Sequence, residues 1–252
     1  QKRHNDAEVV YEESLEIYRN CLPQSQSNIA TSLTNLASIY KAQKRLHDAE
    51  VAYEEALSIR QQSLPANHPN IAQSLFNLAL IYKQNNKFEQ AELLYKESLE
   101  IRRTSTPSKP LSIADCLNNL GVLYKEQKRH NDAERIHKEA LSIRQQSLPT
   151  NHISIAHSLS NLADTYLGTI RQDEAESLYQ DSLQIRRSIT PAKPLDTANC
   201  LYKLAELYQK QGRLVDAKSL ITETLDMRKK ALSPDDPDLI KTIEALKSID
   251  AQ

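Results

Sequence analysis

NIAQSLFNLALIYKQNNKFEQAELLYKESLEIRR, residues 70–103, reads as two helices and the turn between them. From Asn70 to Asn85, apolar or small residues fall at Ile71, Leu75, Leu78, Ala79 and Tyr82, a helical spacing that buries one stripe. From Lys87 to Arg103 the same role falls to Phe88, Ala91, Leu94, Tyr95, Leu99 and Ile101. The polar link Gln84-Asn85-Asn86-Lys87 supplies Asn, which tolerates the left-handed conformation that ends a helix. We call the first type helix A and the second helix B.

Working outward, this pair recurs at a constant interval along the whole chain. Alanine returns at Ala7, Ala49, Ala91, Ala133, Ala175 and Ala217, and the spacing never slips. Leu15, Leu57, Leu99, Leu141, Leu183 and Leu225 keep the same register, as do Tyr40, Tyr82, Tyr124, Tyr166 and Tyr208. A fixed period of this size means one supersecondary unit stacked on copies of itself. Only 3 glycines and no tryptophan occur in 252 residues, which suits helices and not a β-propeller. Proline follows each helix B, at Pro23, Pro65, Pro107, Pro149 and Pro191, and blocks its continuation. Asp236 reads as an N-cap with Pro237 at the first helical position.

The expectation is therefore an all-α solenoid of about twelve antiparallel helices in a single domain spanning 1–252. Residues 1–22 form a lone helix B, and the complete units are 23–65, 66–107, 108–149, 150–191 and 192–233. Residues 234–252 read as a C-terminal cap, because Lys247 and Asp250 stand where other units have a small residue and Tyr. The first helix retains Ala7, Tyr11 and Leu15 without a preceding helix A, which reads as a chain cut from a longer protein. A longer echo links Leu57–His68 with Leu141–His152, and Thr106-Pro-Ser-Lys-Pro-Leu with Thr190-Pro-Ala-Lys-Pro-Leu, so a block of two repeats was duplicated.

Within a unit the order is Leu-x-x-Leu-Ala-x-x-Tyr, then Ala-x-x-x-Tyr-x-x-Ala-Leu, shown by Leu33, Leu36, Ala37, Tyr40, Ala49, Tyr53, Ala56 and Leu57. This resembles the tetratricopeptide repeat, and differs from HEAT and armadillo repeats of similar length. More narrowly it is similar to the repeats of kinesin light chains. The residues that carry this are Asn118-Asn119-Leu120-Gly121-Val122-Leu123-Tyr124, Ala91-Glu92-Leu93-Leu94-Tyr95 with Leu99-Glu100-Ile101-Arg102, and the loops His68-Pro69 and Asp236-Pro237. The resemblance implies a right-handed superhelix whose inner face, lined by A helices, grips a peptide.

Residues turned away from the buried stripe of helix A are the candidates for that groove. Asn35, Asn77, Asn119 and Asn161 form a ladder that ends at Lys203. Lys41, Lys83 and Lys125 form a second, and Phe76, Asn118 and Tyr202 share a third register. Asparagine offers both donor and acceptor to an extended backbone. Lysine favours acidic side chains or a terminal carboxylate, and the aromatics would receive apolar anchors. Arg60, Arg102, Arg144, Arg186 and Arg228 read instead as helix-end cations paired with neighbouring Glu, and nine of the 11 tyrosines as core.

Several classes are unfavoured. With 32 basic and 33 acidic residues the net charge is -1, which argues against a nucleic-acid footprint. No apolar run approaches a membrane span, and no signal peptide is visible in a chain that begins with Gln1. Cys21, Cys116 and Cys200 read as reduced thiols of a cytoplasmic protein. His130 and His137, or His152 and His157, lack metal-ligand spacing, and no phosphate loop or nucleophile elbow appears. No cofactor, metal or enzymatic activity is expected. The expected function is a scaffold or adaptor that binds extended peptide segments of partner proteins, acidic ones among them. The alternative is a sensor or oligomerisation arm of a larger signalling NTPase or protease. Self-association through the end helices is a further expectation.

Overall fold

The computed structural model describes residues 2–20, 26–107, 109–189 and 194–251, with side chains from residue 8 onward. Cys21, Pro23, Thr190 and Pro191 lie outside that description, as does the side chain of Ala7. The described residues form twelve helices and no strand: α1 (Lys2–Asn20), α2 (Gln26–Ala42), α3 (Leu46–Ser63), α4 (Pro69–Gln84), α5 (Phe88–Thr104), α6 (Pro110–Glu126), α7 (His130–Ser147), α8 (Ile153–Leu167), α9 (Gln172–Ser188), α10 (Pro194–Lys210), α11 (Leu214–Ala231) and α12 (Pro237–Asp250). Even-numbered helices are type A and odd-numbered ones type B. The all-α expectation holds. The helices fall into two compact units, residues 1–123 and 124–252, with the boundary inside α6.

Helix starts follow local chemistry. His68 Nδ1 accepts from the Asn70 amide at 3.1 Å, with Pro69 at the first position of α4. His152 Nδ1 does the same for Ser154 at 3.1 Å. Asp236 Oδ1 caps α12 through the Asp238 amide at 2.9 Å, with Pro237 following as expected. Each side chain satisfies one backbone donor that the first turn leaves free.

The A-to-B turns end their helices with a left-handed residue at one fixed register: Lys44 (φ 63), Asn86 (φ 57), Lys128 (φ 60) and Gly212 (φ 76). Behind each, two amides reach back, as in Lys87 to Tyr82 O at 2.8 Å and Asn86 to Lys83 O at 3.0 Å. This is the Schellman arrangement. Asparagine is thus only one of the residues used, and lysine fills the strained position twice. The fourth turn in chain order, between α8 and α9, carries Ile170 there, and a β-branched residue resists positive φ. That turn is built differently. Thr169 Oγ1 donates to Tyr166 O at 2.8 Å and accepts from the Arg171 amide at 3.2 Å, leaving Ile170 fully exposed. A Cβ on Gly168 would lie 2.8 Å from His130 Cε1, so any larger residue there would have to displace the His130 ring.

The repeating alanines from Ala49 to Ala217 are all completely buried, which lets A and B backbones approach closely. Leu33, Leu36, Leu75, Leu78, Leu117 and Leu120 fill the spaces beside them. In the helix-B register of Tyr53, Tyr95 and Tyr179, α7 carries His137, which is also buried.

A second repeating device was not foreseen. The cation that follows each A-to-B turn lies over the helix-A tyrosine: Arg45 over Tyr40 at 4.2 Å, Arg129 over Tyr124 at 4.1 Å, Arg171 over Tyr166 at 4.0 Å and Arg213 over Tyr208 at 3.8 Å. The same cation reaches a glutamate on the preceding helix B. Arg45 pairs with Glu8 at 2.6 Å, Lys87 with Glu50, Arg171 with Glu134 at 2.7 Å and Arg213 with Glu176 at 2.8 Å. One exposed pair contributes under about 1 kcal/mol, but here it recurs from repeat to repeat.

Candidate functional site

In the second unit, three of the predicted groove residues open into one cavity of about 390 Å³. Asn161 comes from α8, and Tyr202 and Lys203 from α10; α12 adds Lys241 to the lining. Asn161 and Lys203 are half-buried, Tyr202 is buried, and all three stand on successive A helices. The helix-A periodicity explains this for Asn161 and Lys203, whose registers lie outside the stripe of Leu162, Leu201 and Leu204 that packs the core, whereas Tyr202 itself belongs to that core cluster and reaches the cavity from its edge.

In the first unit Asn35, Asn77, Asn118 and Asn119 are half-buried, neither sealed in the core nor fully exposed. Asn77 Oδ1 accepts from Gln73 Nε2 at 2.9 Å, and Asn119 Nδ2 donates to Asp115 O at 2.9 Å. Lys41 and Lys83 are half-buried as well. Lys125, in the second unit, is committed to Asp164 at 2.9 Å, and Lys203 to Glu206 at 2.8 Å. These lysines are therefore less open to a ligand charge than the sequence suggests. The aromatics are also occupied. Phe76 meets Tyr95 edge-on at 5.8 Å and carries Arg102 at 5.3 Å from its centroid. Tyr202 lies between Arg228 at 5.0 Å and Lys241 at 4.9 Å. Each ring is a platform already holding a cation.

The arginine series requires correction. Arg60, Arg102, Arg144, Arg186 and Arg228 do not pair with glutamates in their described contacts. They pass under the next helix A and bond to hydroxyls and carbonyls. Arg60 Nη1 donates to Ser74 Oγ at 2.5 Å, Arg144 Nη1 to Ser158 Oγ at 2.6 Å, and Arg228 Nη1 to Thr242 Oγ1 at 2.6 Å. Arg228 Nη1 also reaches Asp238 O at 2.8 Å, and its Nη2 reaches Asn199 Oδ1 at 2.7 Å. The guanidiniums of Arg60, Arg102, Arg144 and Arg228 join one repeat to the next, whereas Arg186 bonds through Nε to Ser182 on its own helix; Arg186 and Arg228 both line the cavity.

His157, Asp164 and Asp196 also line the cavity. Burial lowers the His157 imidazole below its ordinary value, and Arg186 adds to this, while Asp196 opposes it from 3.6 Å. Asp164 accepts from the Tyr179 hydroxyl at 2.5 Å, and burial together with that carboxylate holds the phenol protonated. The site therefore mixes amides, three cations beyond Lys203, and carboxylates, of which Asp164 is already held by Lys125 and Tyr179. It offers directional polar contacts and charge. A signal for the arginines was present in the sequence, in the helix-A register that faces them: Ser74, Cys116, Ser158, Cys200 and Thr242, which is hydroxyl or thiol throughout.

Family models described as tetratricopeptide repeat match residues 28–104 and 112–188, and a third match covers 197–238. No curated protein matches the sequence. Among solved structures, the chain is similar to BtubC (BKLC) from P. vanneervenii at 20% identity and TM-score 0.77, covering 92% of this chain and 94% of that one. A putative kinesin light chain of nearly identical TPR-like repeats from P. anserina aligns at 21% identity and TM-score 0.68, over 82% and 99% of the two chains. PilF of Pseudomonas aeruginosa aligns at 18% identity and TM-score 0.59, over 90% and 91%. These likenesses concern the fold.

Proposed function

This chain belongs to the tetratricopeptide repeat family, whose members generally act as protein-interaction scaffolds, and we propose that it binds extended peptide segments of partner proteins along its A helices. The observation that carries this reading is the convergence of Asn161, Tyr202 and Lys203 on one cavity. A peptide in that trough would hydrogen-bond through its backbone to the asparagine amides, and acidic side chains would meet the cations. The role is that of a non-catalytic adaptor in the cytoplasm, comparable to the cargo binding of kinesin light chains. No helix among the described residues is long and apolar enough to cross a membrane.

The test is a peptide array probed with the purified chain, then repeated with Asn161→Ala combined with Lys203→Ala. Captured peptides should bind the double variant about tenfold more weakly, a loss of roughly 1.4 kcal/mol. Circular dichroism should show unchanged helicity. Full-strength binding by the folded variant contradicts the reading.

A further inference from the structure

A second cavity of about 420 Å³ opens in the second unit and shares no lining residue with the first. It lies between the last turns of α7 and α9 and the start of α8. Ile155 and Leu159, both buried, form an apolar floor with the half-buried Ile185. Gln145 and Gln184 stand exposed at the rim. Asp181 is the one charged residue among the described residues of the lining. It has no ion pair or side-chain hydrogen bond among the described residues.

The repeat shows what this carboxylate ordinarily holds. An acidic residue returns on each helix B, at Glu13, Glu55, Glu97, Glu139, Asp181 and Glu223. A second register near the helix-B ends reads Arg19, Gln61, Arg103, Gln145 and Arg187. Arg19 Nη2 donates to Glu55 Oε1 at 2.7 Å, 36 positions on. Arg187 Nη2 donates to Glu223 Oε1 at 2.8 Å and to Oε2 at 3.0 Å, again 36 positions on. The residue that stands 36 positions before Asp181 is Gln145, and a neutral amide cannot balance a carboxylate. Gln61 stands in the same relation to Glu97, but Asp181 is one methylene shorter and leaves more room. The joint at α7 and α9 thus keeps its carboxylate, lacks its guanidinium, and opens into a cavity.

We propose that this cavity binds an arginine side chain of a partner protein, supplied from outside where the chain's own arginine is missing. The site goes beyond the groove reading and does not depend on it. The incoming guanidinium takes the place against Asp181 that Arg187 takes against Glu223. Its remaining donors meet the amide oxygens of Gln145 and Gln184, which suits a planar fork better than a compact ammonium. The aliphatic stem lies on Ile155 and Leu159. The carbonyl ends of α7 and α9 add partial negative charge beside the cation. Of the neighbouring cations, Arg187 is held by Glu223 and Arg144 by Ser158, so neither takes Asp181.

The test is a titration of the isotope-labelled chain, followed by amide chemical shifts. The probe is the capped tripeptide acetyl-Ala-Arg-Ala-amide, with citrulline and lysine versions as controls. The arginine peptide should shift amides within 145–159 and 181–188. Citrulline keeps the shape and loses the charge, so its peptide should bind about tenfold more weakly, the order expected for one charge-assisted hydrogen bond. Gln145→Arg should supply the missing guanidinium from within, and Asp181→Asn should remove its partner. Each should weaken the arginine peptide by a similar factor, with thermal melts verifying that both variants fold. Failure of the arginine peptide to bind, or equal binding to the unmodified chain and both variants, overturns the assignment. Equal binding of the lysine peptide overturns the preference for guanidinium. Free L-arginine binding as tightly as the peptide assigns the cavity to the amino acid and overturns the partner reading. Asn161→Ala combined with Lys203→Ala should leave the arginine peptide unaffected. A loss there would put the peptide in the first cavity and overturn this site, while an intact second site says nothing for or against the groove.

Discussion

Arg144 Nη1 donates to Ser158 Oγ at 2.6 Å, tying α7 to α8 through two buried polar groups. Removing the hydroxyl leaves part of a buried guanidinium unmet. Ser158→Ala should therefore destabilise the chain by about 1–3 kcal/mol. Urea denaturation followed by circular dichroism measures this. A midpoint unchanged by the substitution would show that the bond contributes nothing net.

His137 is 1% exposed, and both ring nitrogens lack a hydrogen-bond partner among the described residues. Burial lowers its pKa from 6.5 to about 4, helped by Lys125 and Arg144 and opposed by Asp164. The unfolded chain thus takes up this proton first. Stability from the neutral ring is complete above pH about 6.5 and is lost as pH falls towards 4. The difference at pH 5 is on the order of 2 kcal/mol. His137→Phe should remove that part of the acid sensitivity, read as the change in unfolding free energy between pH 7 and pH 5. Equal losses in both proteins would place the sensitivity elsewhere.

Lys44 and Lys128 hold positive φ where Gly212 does the same work without a Cβ. Replacing either lysine with glycine relieves a strain of about 1–2 kcal/mol and adds up to about 1 kcal/mol of unfolded-state entropy. The expected net result is a slight gain, up to about 1 kcal/mol. Ile170→Gly should gain nothing comparable, because its turn does not use the left-handed conformation. Thermal melts of the three variants check the contrast. A destabilised Lys44→Gly and Lys128→Gly would refute the strain argument.

Much of the fold was legible because each residue's role recurs in the next copy. Ala91 and Tyr82 could be placed from spacing alone. The registers of Asn161 and Lys203 followed from the same helical geometry, and both line the cavity. Arg186 was misjudged for a physical reason: it stands on α9, while Cys200 and His157 beside it come from α10 and α8. Helical periodicity says which face a residue occupies, and nothing about which atoms meet between helices. The engagement of Tyr202 by Arg228 and Lys241 was hidden likewise. The left-handed lysines were hidden because tertiary packing overrides the local preference for glycine or asparagine.

The glutamate–cation clasps join partners at one constant separation along the chain, as in Glu8 with Arg45 and Glu176 with Arg213. Excising or inserting one whole repeat rebuilds an equivalent glutamate–cation pair at the new seam. Gaining or losing any other stretch of chain breaks the seam it touches. The array is therefore able to lengthen or shorten only in whole steps, and recombination between copies would leave each joint chemically intact.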